Sequence, residues 1–98
     1  MTQKRKDEYT KLLAGSLPVL RKACGLSQTG LSELTGISRS ALSVIENRKD
    51  MTWSQFLSVL AVLDRRPEAV RHFEAVGIDT DEVAGFLSGY AGREGARE

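Results

Sequence analysis

The chain has 98 residues, 41% hydrophobic and 28% charged, which suits one small all-helical domain and excludes a disordered chain. The formal net charge of +1 conceals an asymmetry: residues 1–50 carry nine Lys/Arg against five Asp/Glu, and residues 51–98 carry five against eight. A polyanion would therefore be attracted locally to the basic half rather than by overall charge.

Residues 1–8 are polar, and their Lys4-Arg5-Lys6 cluster reads as a flexible basic arm. Tyr9, Leu13, Leu17, Leu20 and Cys24 then recur at helical spacing. Pro18 interrupts them, either in the first turn of a helix capped by Ser16 or as a kink in one longer helix. The preferred reading is a first helix over about 17–24, with 7–15 as an irregular or helical lead-in and Gly25 as the stop. Ser27 caps a second helix through Thr35, with Leu31 and Leu34 turned inward, and Gly36 ends it. Ser38 caps a third helix that buries Leu42 and Ile45, and Asn47, tolerant of the left-handed conformation, is its stop. A polar loop, Arg48-Lys49-Asp50, follows.

Thr52-Trp53-Ser54-Gln55 is a capping box, and Phe56, Val59, Leu60 and Leu63 continue it at helical spacing. Pro67 opens a fifth helix, with Ala69, Val70, Phe73 and Val76 inward and Gly77 at its end. Asp79 through Glu82 caps a sixth, shorter helix carrying Val83, Phe86, Leu87 and Tyr90. The tail 91–98, with two glycines and four charges, reads as disordered. The expected fold is thus all-α, a compact bundle of five to six short helices. Residues 9–66 form its core and 67–90 the C-terminal helices.

The segment from Ser27 to Asn47 reads as two short helices around a tight glycine turn. That is the helix-turn-helix plan, in which one helix braces and the other enters the DNA major groove. Ser32 is small where the helices cross, and Gly36 lets the chain reverse within a few residues. Ile37, Leu42 and Ile45 anchor the third helix and turn Arg39, Ser40 and Ser43 outward. Arg39 can fork onto guanine O6 and N7, or pair with Glu46. Glu46 itself is expected to brace the fold through a buried hydrogen bond or ion pair, because carboxylates repel phosphates.

The stretch from about Leu17 to Leu63 resembles the Cro/C1-type (Xre-like) helix-turn-helix family, whose fold is the lambda-repressor-like bundle. The resemblance rests on Ser27-Gln28, Leu31, Ser32, Gly36, Ile37, Ser38, Leu42, Ile45 and Glu46, followed by the capped helix from Thr52. It implies base contacts from Arg39, Ser40 and Ser43. It implies phosphate contacts from Gln28, Ser27, Ser38, Asn47, Arg48, Lys49 and Thr52, with helix N-termini adding amide donors. The sequence departs from the pattern at Asn47, where the family has glycine, and at Met51, where proline is frequent and its loss implies a looser loop. The third helix also lacks a Gln or Asn at its exposed start.

Several residues carry a plainer reading. Gln28 can simply favour the first helical turn, and Gly30 is either a close-approach point or a tolerated imperfection. Trp53 is expected to pack beneath its loop rather than wedge against a sugar. Lone Cys24 excludes an internal disulfide and reads as a small buried core residue. His72 reads as a solvent- or partner-facing residue, and no metal or cofactor is expected, as no metal-spaced cluster occurs. No apolar run reaches membrane-spanning length and no secretory signal opens the chain, which points to the cytoplasm.

Val76, Ile78, Val83, Phe86, Leu87 and Tyr90 are candidates for a twofold interface, against the alternative that this segment folds back on its own core. The resulting expectation is a sequence-specific transcriptional regulator, a repressor that binds palindromic double-stranded DNA as a homodimer. An antitoxin-type protein that binds a partner through its C-terminal helices and autoregulates its promoter is the alternative. An enzyme is not expected, since the single Cys and single His lie in unrelated segments.

Overall fold

The structure, a computed structural model, describes the backbone of residues 1–97 and the side chains of residues 1–89. All regular elements among them are helices: α1 (Gln3–Ala23), α2 (Gln28–Thr35), α3 (Arg39–Arg48), α4 (Trp53–Leu63), α5 (Pro67–Val76) and α6 (Thr80–Arg97). The caps of α2, α3 and α4 form where the sequence places them. Ser27, Ser38 and Thr52 accept from the amides of Gly30, Ala41 and Gln55, and Gln55 Oε1 accepts from Thr52 N to complete the box. Asp79 Oδ1 likewise accepts from the amides of Asp81 and Glu82 at the start of α6. Gly36 and Gly77 hold the left-handed backbone that ends α2 and α5.

The N-terminal expectation is corrected. A single 21-residue helix, capped by Thr2, replaces the flexible arm, the lead-in and the short helix from 17. Pro18 sits inside it, where the lost hydrogen bond costs about 3 kcal/mol. One face of the same helix buries Tyr9, Leu13, Leu17 and Leu20 completely, and each such side chain contributes roughly 1.5–3 kcal/mol. Burial on that scale outweighs the proline. Ser16 does not cap; its hydroxyl donates back to Leu12 O at 2.7 Å within the helix.

α1 is the central strut, packing on α3, α4 and α5, while α2 packs on α3 and α4. Phe56, Val59 and Leu63 from α4, Phe73 from α5, and Ile78 and Val83 close the core around it. Tyr9 links the two ends of the chain: its ring lies 6.0 Å from that of Phe56, and its hydroxyl accepts from Arg5 Nη2 and from Asp79 N. Arg5 also pairs with Glu82 at 3.1 Å, fastening α6 to the first turns of α1. Two inward assignments fail, because Leu34 and Val70 are 44% and 37% exposed. Cys24 is only half-buried, packed against the core, and burial pushes its thiol pKa up. Met51 is buried, so its side chain pins the loop that the missing proline was expected to loosen.

His72 is neither solvent-facing nor unpartnered. Its Nε2 lies 2.8 Å from Ser16 Oγ, whose own proton goes to Leu12 O, so the ring proton sits on Nε2 and donates. Burial lowers its pKa from the ordinary histidine value. The folded state therefore binds fewer protons than the unfolded state between that lowered pKa and about 6.5, and stability falls as pH drops through this window. Urea melts at pH 7.5 and 5.5 should show that loss, and His72→Gln should reduce it. A second expectation concerns Gly15, in mid-α1, where an added Cβ would meet nothing within 4 Å. Gly15→Ala should stabilise by about 1 kcal/mol, read as a rise in Tm.

Candidate nucleic-acid interface

α3 presents two faces at helical spacing. Leu42 and Ile45 point into the core, with Ile37 buried just ahead of them. Arg39, Ser40, Ser43 and Val44 share one open concavity of about 530 Å³ with Gln28 of α2. A second concavity, of about 420 Å³, runs from Val44 past Arg48 to Thr52 and Gln55. These surfaces bring the three expected base-reading residues together with Gln28 on one side of Val44, and Arg48 and Thr52 together on the other. Ser27, Ser38, Asn47 and Lys49 are exposed but line neither concavity. The sequence-level choice of outward residues passed over Val44, an apolar side chain 48% exposed at the junction of the two surfaces. Its spacing from Ser40, one turn earlier, was the available signal.

What aims α3 is a polar cluster on its inner edge. Arg21 Nε and Nη2 of α1 donate to Glu46 Oε2 and Oε1 at 2.9 and 3.1 Å. Arg21 Nη1 donates to Leu26 O, and Gln28 Nε2 donates to Glu46 Oε1 at 3.2 Å. The Arg21 and Glu46 side chains are only 13% and 9% exposed. Glu46 therefore braces the fold, as its place in the sequence implied, and Arg39 does not pair with it. Arg21 went unnoticed because its partner lies 25 residues away. Gln28 joins the brace and is also one of the residues that line the outer concavity.

The end of α3 differs from expectation. Asn47 remains helical, and the left-handed stop falls two residues later at Lys49, the only non-glycine residue with positive φ among the described residues (φ 57°). Trp53 stacks on Phe56 with ring centroids 4.8 Å apart, and Lys6 Nζ lies over its ring at 5.5 Å, so Trp53 is packing rather than a wedge. At Gly30 an added Cβ would come 3.4 Å from Ser27 Oγ, an ordinary contact, so the turn itself does not require glycine there.

The C-terminal candidates divide. Ile78 and Val83 are 3% and 1% exposed inside the chain's own core, which removes them from any interface between folded copies. Val76 is half-buried against the core, and Phe86 is half-buried with Lys6 Nζ 5.2 Å from its ring. Leu87 is 40% exposed on an apolar concavity of about 260 Å³ between α4 and α6, lined also by Leu57, Leu60 and Ala61. The side chain of Tyr90 lies outside the described residues. Among the described residues no cluster of His, Cys, Asp and Glu could hold a metal ion, and no helix is long and apolar enough to cross a membrane.

Removing one member of the buried pair leaves the other charged without its counter-ion, held only by Gln28 in the case of Glu46 or by Leu26 O in the case of Arg21. Arg21→Ala and Glu46→Ala should each cost about 3 kcal/mol in urea melts, and the double variant Arg21→Met/Glu46→Leu should cost less than the sum of the two.

No curated protein and no solved structure matches the chain. A family model described as a helix-turn-helix domain matches residues 12–86, which takes in the whole of α2, α3, α4 and α5, the second half of α1 and the start of α6. On that match, and on a bundle whose α2-turn-α3 unit has the Cro/C1-type pattern, the chain belongs to the helix-turn-helix domain family.

Proposed function

We propose that the protein is a non-catalytic, sequence-specific transcriptional regulator that binds duplex DNA by seating α3 in the major groove. The observation that carries this reading is the outward concavity shared by Gln28, Arg39, Ser40 and Ser43, held in place by the Arg21–Glu46 pair behind it. Arg39 offers the planar fork that matches guanine O6 and N7, and the two serine hydroxyls can donate to or accept from several base edges. Arg48, Lys49, Asn47 and the capped N-termini at Ser27, Ser38 and Thr52 are suited to phosphates. Cations supply charge there, and helix N-termini concentrate partial positive charge. Glu46, the one carboxylate on α3, is already neutralised by Arg21 and does not oppose a polyanion.

The protein acts in this reading as a homodimer on a palindromic operator, with the two α3 helices about one DNA turn, ~34 Å, apart. Leu87, Phe86 and Val76, with Tyr90, are the remaining interface candidates, and the apolar concavity beside Leu87 is the surface a partner copy would cover. Repression follows if the operator overlaps a promoter, because a bound dimer excludes polymerase. The cytoplasm is the compartment this function requires in a cell without a nucleus.

Selection of bound sequences from a pool of random duplexes, followed by titration of the recovered site against salt, tests the reading. A palindrome should be enriched, and Arg39→Ala or Ser40→Ala should each weaken binding and relax the preference at one position per half-site, by about 1–3 kcal/mol for Arg39. Arg48→Ala and Lys49→Ala should instead weaken all sequences alike and lower the salt slope by about one per half-site. Recovery of no preferred sequence would defeat the regulator reading and turn attention to a protein partner of the α4–α6 surface.

A further inference from the structure

Val44 is an apolar side chain in the wrong company. A lone exposed valine ordinarily needs no explanation. This one stands at the junction of two concavities, with Arg39, Ser40, Ser43 and Gln28 on one side and Arg48 and Thr52 on the other. It lies one turn beyond Ser40 and beside Ser43, on the outer face of α3, and is 48% exposed. On the Gln28 side its neighbours are two hydroxyls, an amide and a guanidinium with no other large apolar side chain, while on the Arg48 side the buried Ile45 and Met51 and the Asp50 carboxylate join the lining. The surface that fits it must offer a small apolar group set among hydrogen-bonding edges and bordered by negative charge.

The major groove has that composition: pyrimidine C5-methyl groups project among base-edge donors and acceptors, between two phosphate backbones. We infer that Val44 is a specificity-determining residue that reads the C5-methyl group of a pyrimidine in the operator, an inference that rests on the DNA-binding reading above. The methyl can come from thymine or from 5-methylcytosine, and both present it at the same ring position. Ser40 and Ser43 would then pair with edges next to that methyl, and the valine would reward a pyrimidine methyl where the serines alone tolerate several bases.

The test uses the full chain and the duplex recovered by random-pool selection. Each thymine is replaced in turn by deoxyuridine, which removes only the methyl group, and each cytosine in turn by 5-methylcytosine, which adds one. Binding is measured for the wild type and for Val44→Ala, whose fold is checked by thermal melting. The expected result is one position per half-site at which the wild type gains about fourfold in affinity from the methyl group while Val44→Ala gains nothing. A loss on uridine substitution assigns the methyl to thymine, and a gain on cytosine methylation assigns it to 5-methylcytosine. The inference is overturned if the wild type binds its selected duplex specifically but ignores every methyl, or if Val44→Ala keeps the full methyl effect. Recovery of no preferred duplex would instead sink the DNA-binding reading, and this inference with it.

Discussion

One carboxylate holds three helices in register. Glu46 of α3 accepts both arms of the Arg21 guanidinium from α1 and the Gln28 amide from α2, and Arg21 also reaches the carbonyl of Leu26 at the bend between α1 and α2. Leu31, Leu42 and Ile45 could bury their area in several rotations of α3 about its axis, because apolar burial has no direction. A bidentate guanidinium–carboxylate pair does have direction. Burying it costs desolvation that a pair of leucines would not, so its value here is geometric more than energetic. It leaves Ser40, Ser43 and Val44 aimed away from the core, and it removes the negative charge that α3 would otherwise carry to its outer surface.

A second frame forms behind the first. The first turns of α1 lie ahead of the segment matched by the family model, and they are fixed to α6 by Arg5–Glu82 and by the shared hydroxyl of Tyr9. Arg5 and Glu82 are each more than a third exposed, so that ion pair contributes little by itself. Tyr9 matters more: it is completely buried, lies parallel to Phe56, and gives the backbone amide of Asp79 an acceptor at the entry to α6. α6 thereby joins the core through Val83, with Ile78 of the preceding turn beside it in the core, while Leu87, one turn beyond Val83, is left on the open side.

The sequence made some of this legible and hid the rest for identifiable reasons. Capping is local chemistry, so Ser27, Ser38, Thr52 and Asp79 mark their helices within a residue. Gly36 and Gly77 mark stops because a positive φ favours glycine strongly. Pro18 misled, since its cost is local while the burial of Tyr9, Leu13, Leu17 and Leu20 that overrides it is tertiary. Leu34 and Val70 misled for a related reason: a period of 3.6 identifies an apolar face but not how wide a stripe the neighbouring helices will cover. Arg21 and His72 find partners 25 and 56 residues away, and no spacing rule reaches that far. Ile78 and Val83 looked like interface residues because the first turns of α1, which reach Asp79, Glu82 and Phe86 around them, read as a flexible arm in the sequence.

Lys49 shows the same tension between local rules and tertiary demand at the edge of the proposed interface. Asparagine is the residue that local chemistry would put in a left-handed cap, and Asn47 stands only two positions earlier. Yet Asn47 stays helical and a lysine takes the conformation, at a cost of about 1 kcal/mol. The reason lies on either side of it. Ile45 must reach the core, and Lys49 N closes the last turn on Ile45 O at 2.8 Å. Two residues later Met51 must be buried and Thr52 must cap α4. With only Lys49 and Asp50 between helix end and buried methionine, the reversal has to begin at 49, whatever residue is there. A glycine would relax the backbone at that point, but it would remove a cation from the loop that α3 and α4 hold beside Arg48. The strained lysine is therefore what results when the core fixes where the chain turns, and it keeps at that position the positive charge that the proposed interface would use.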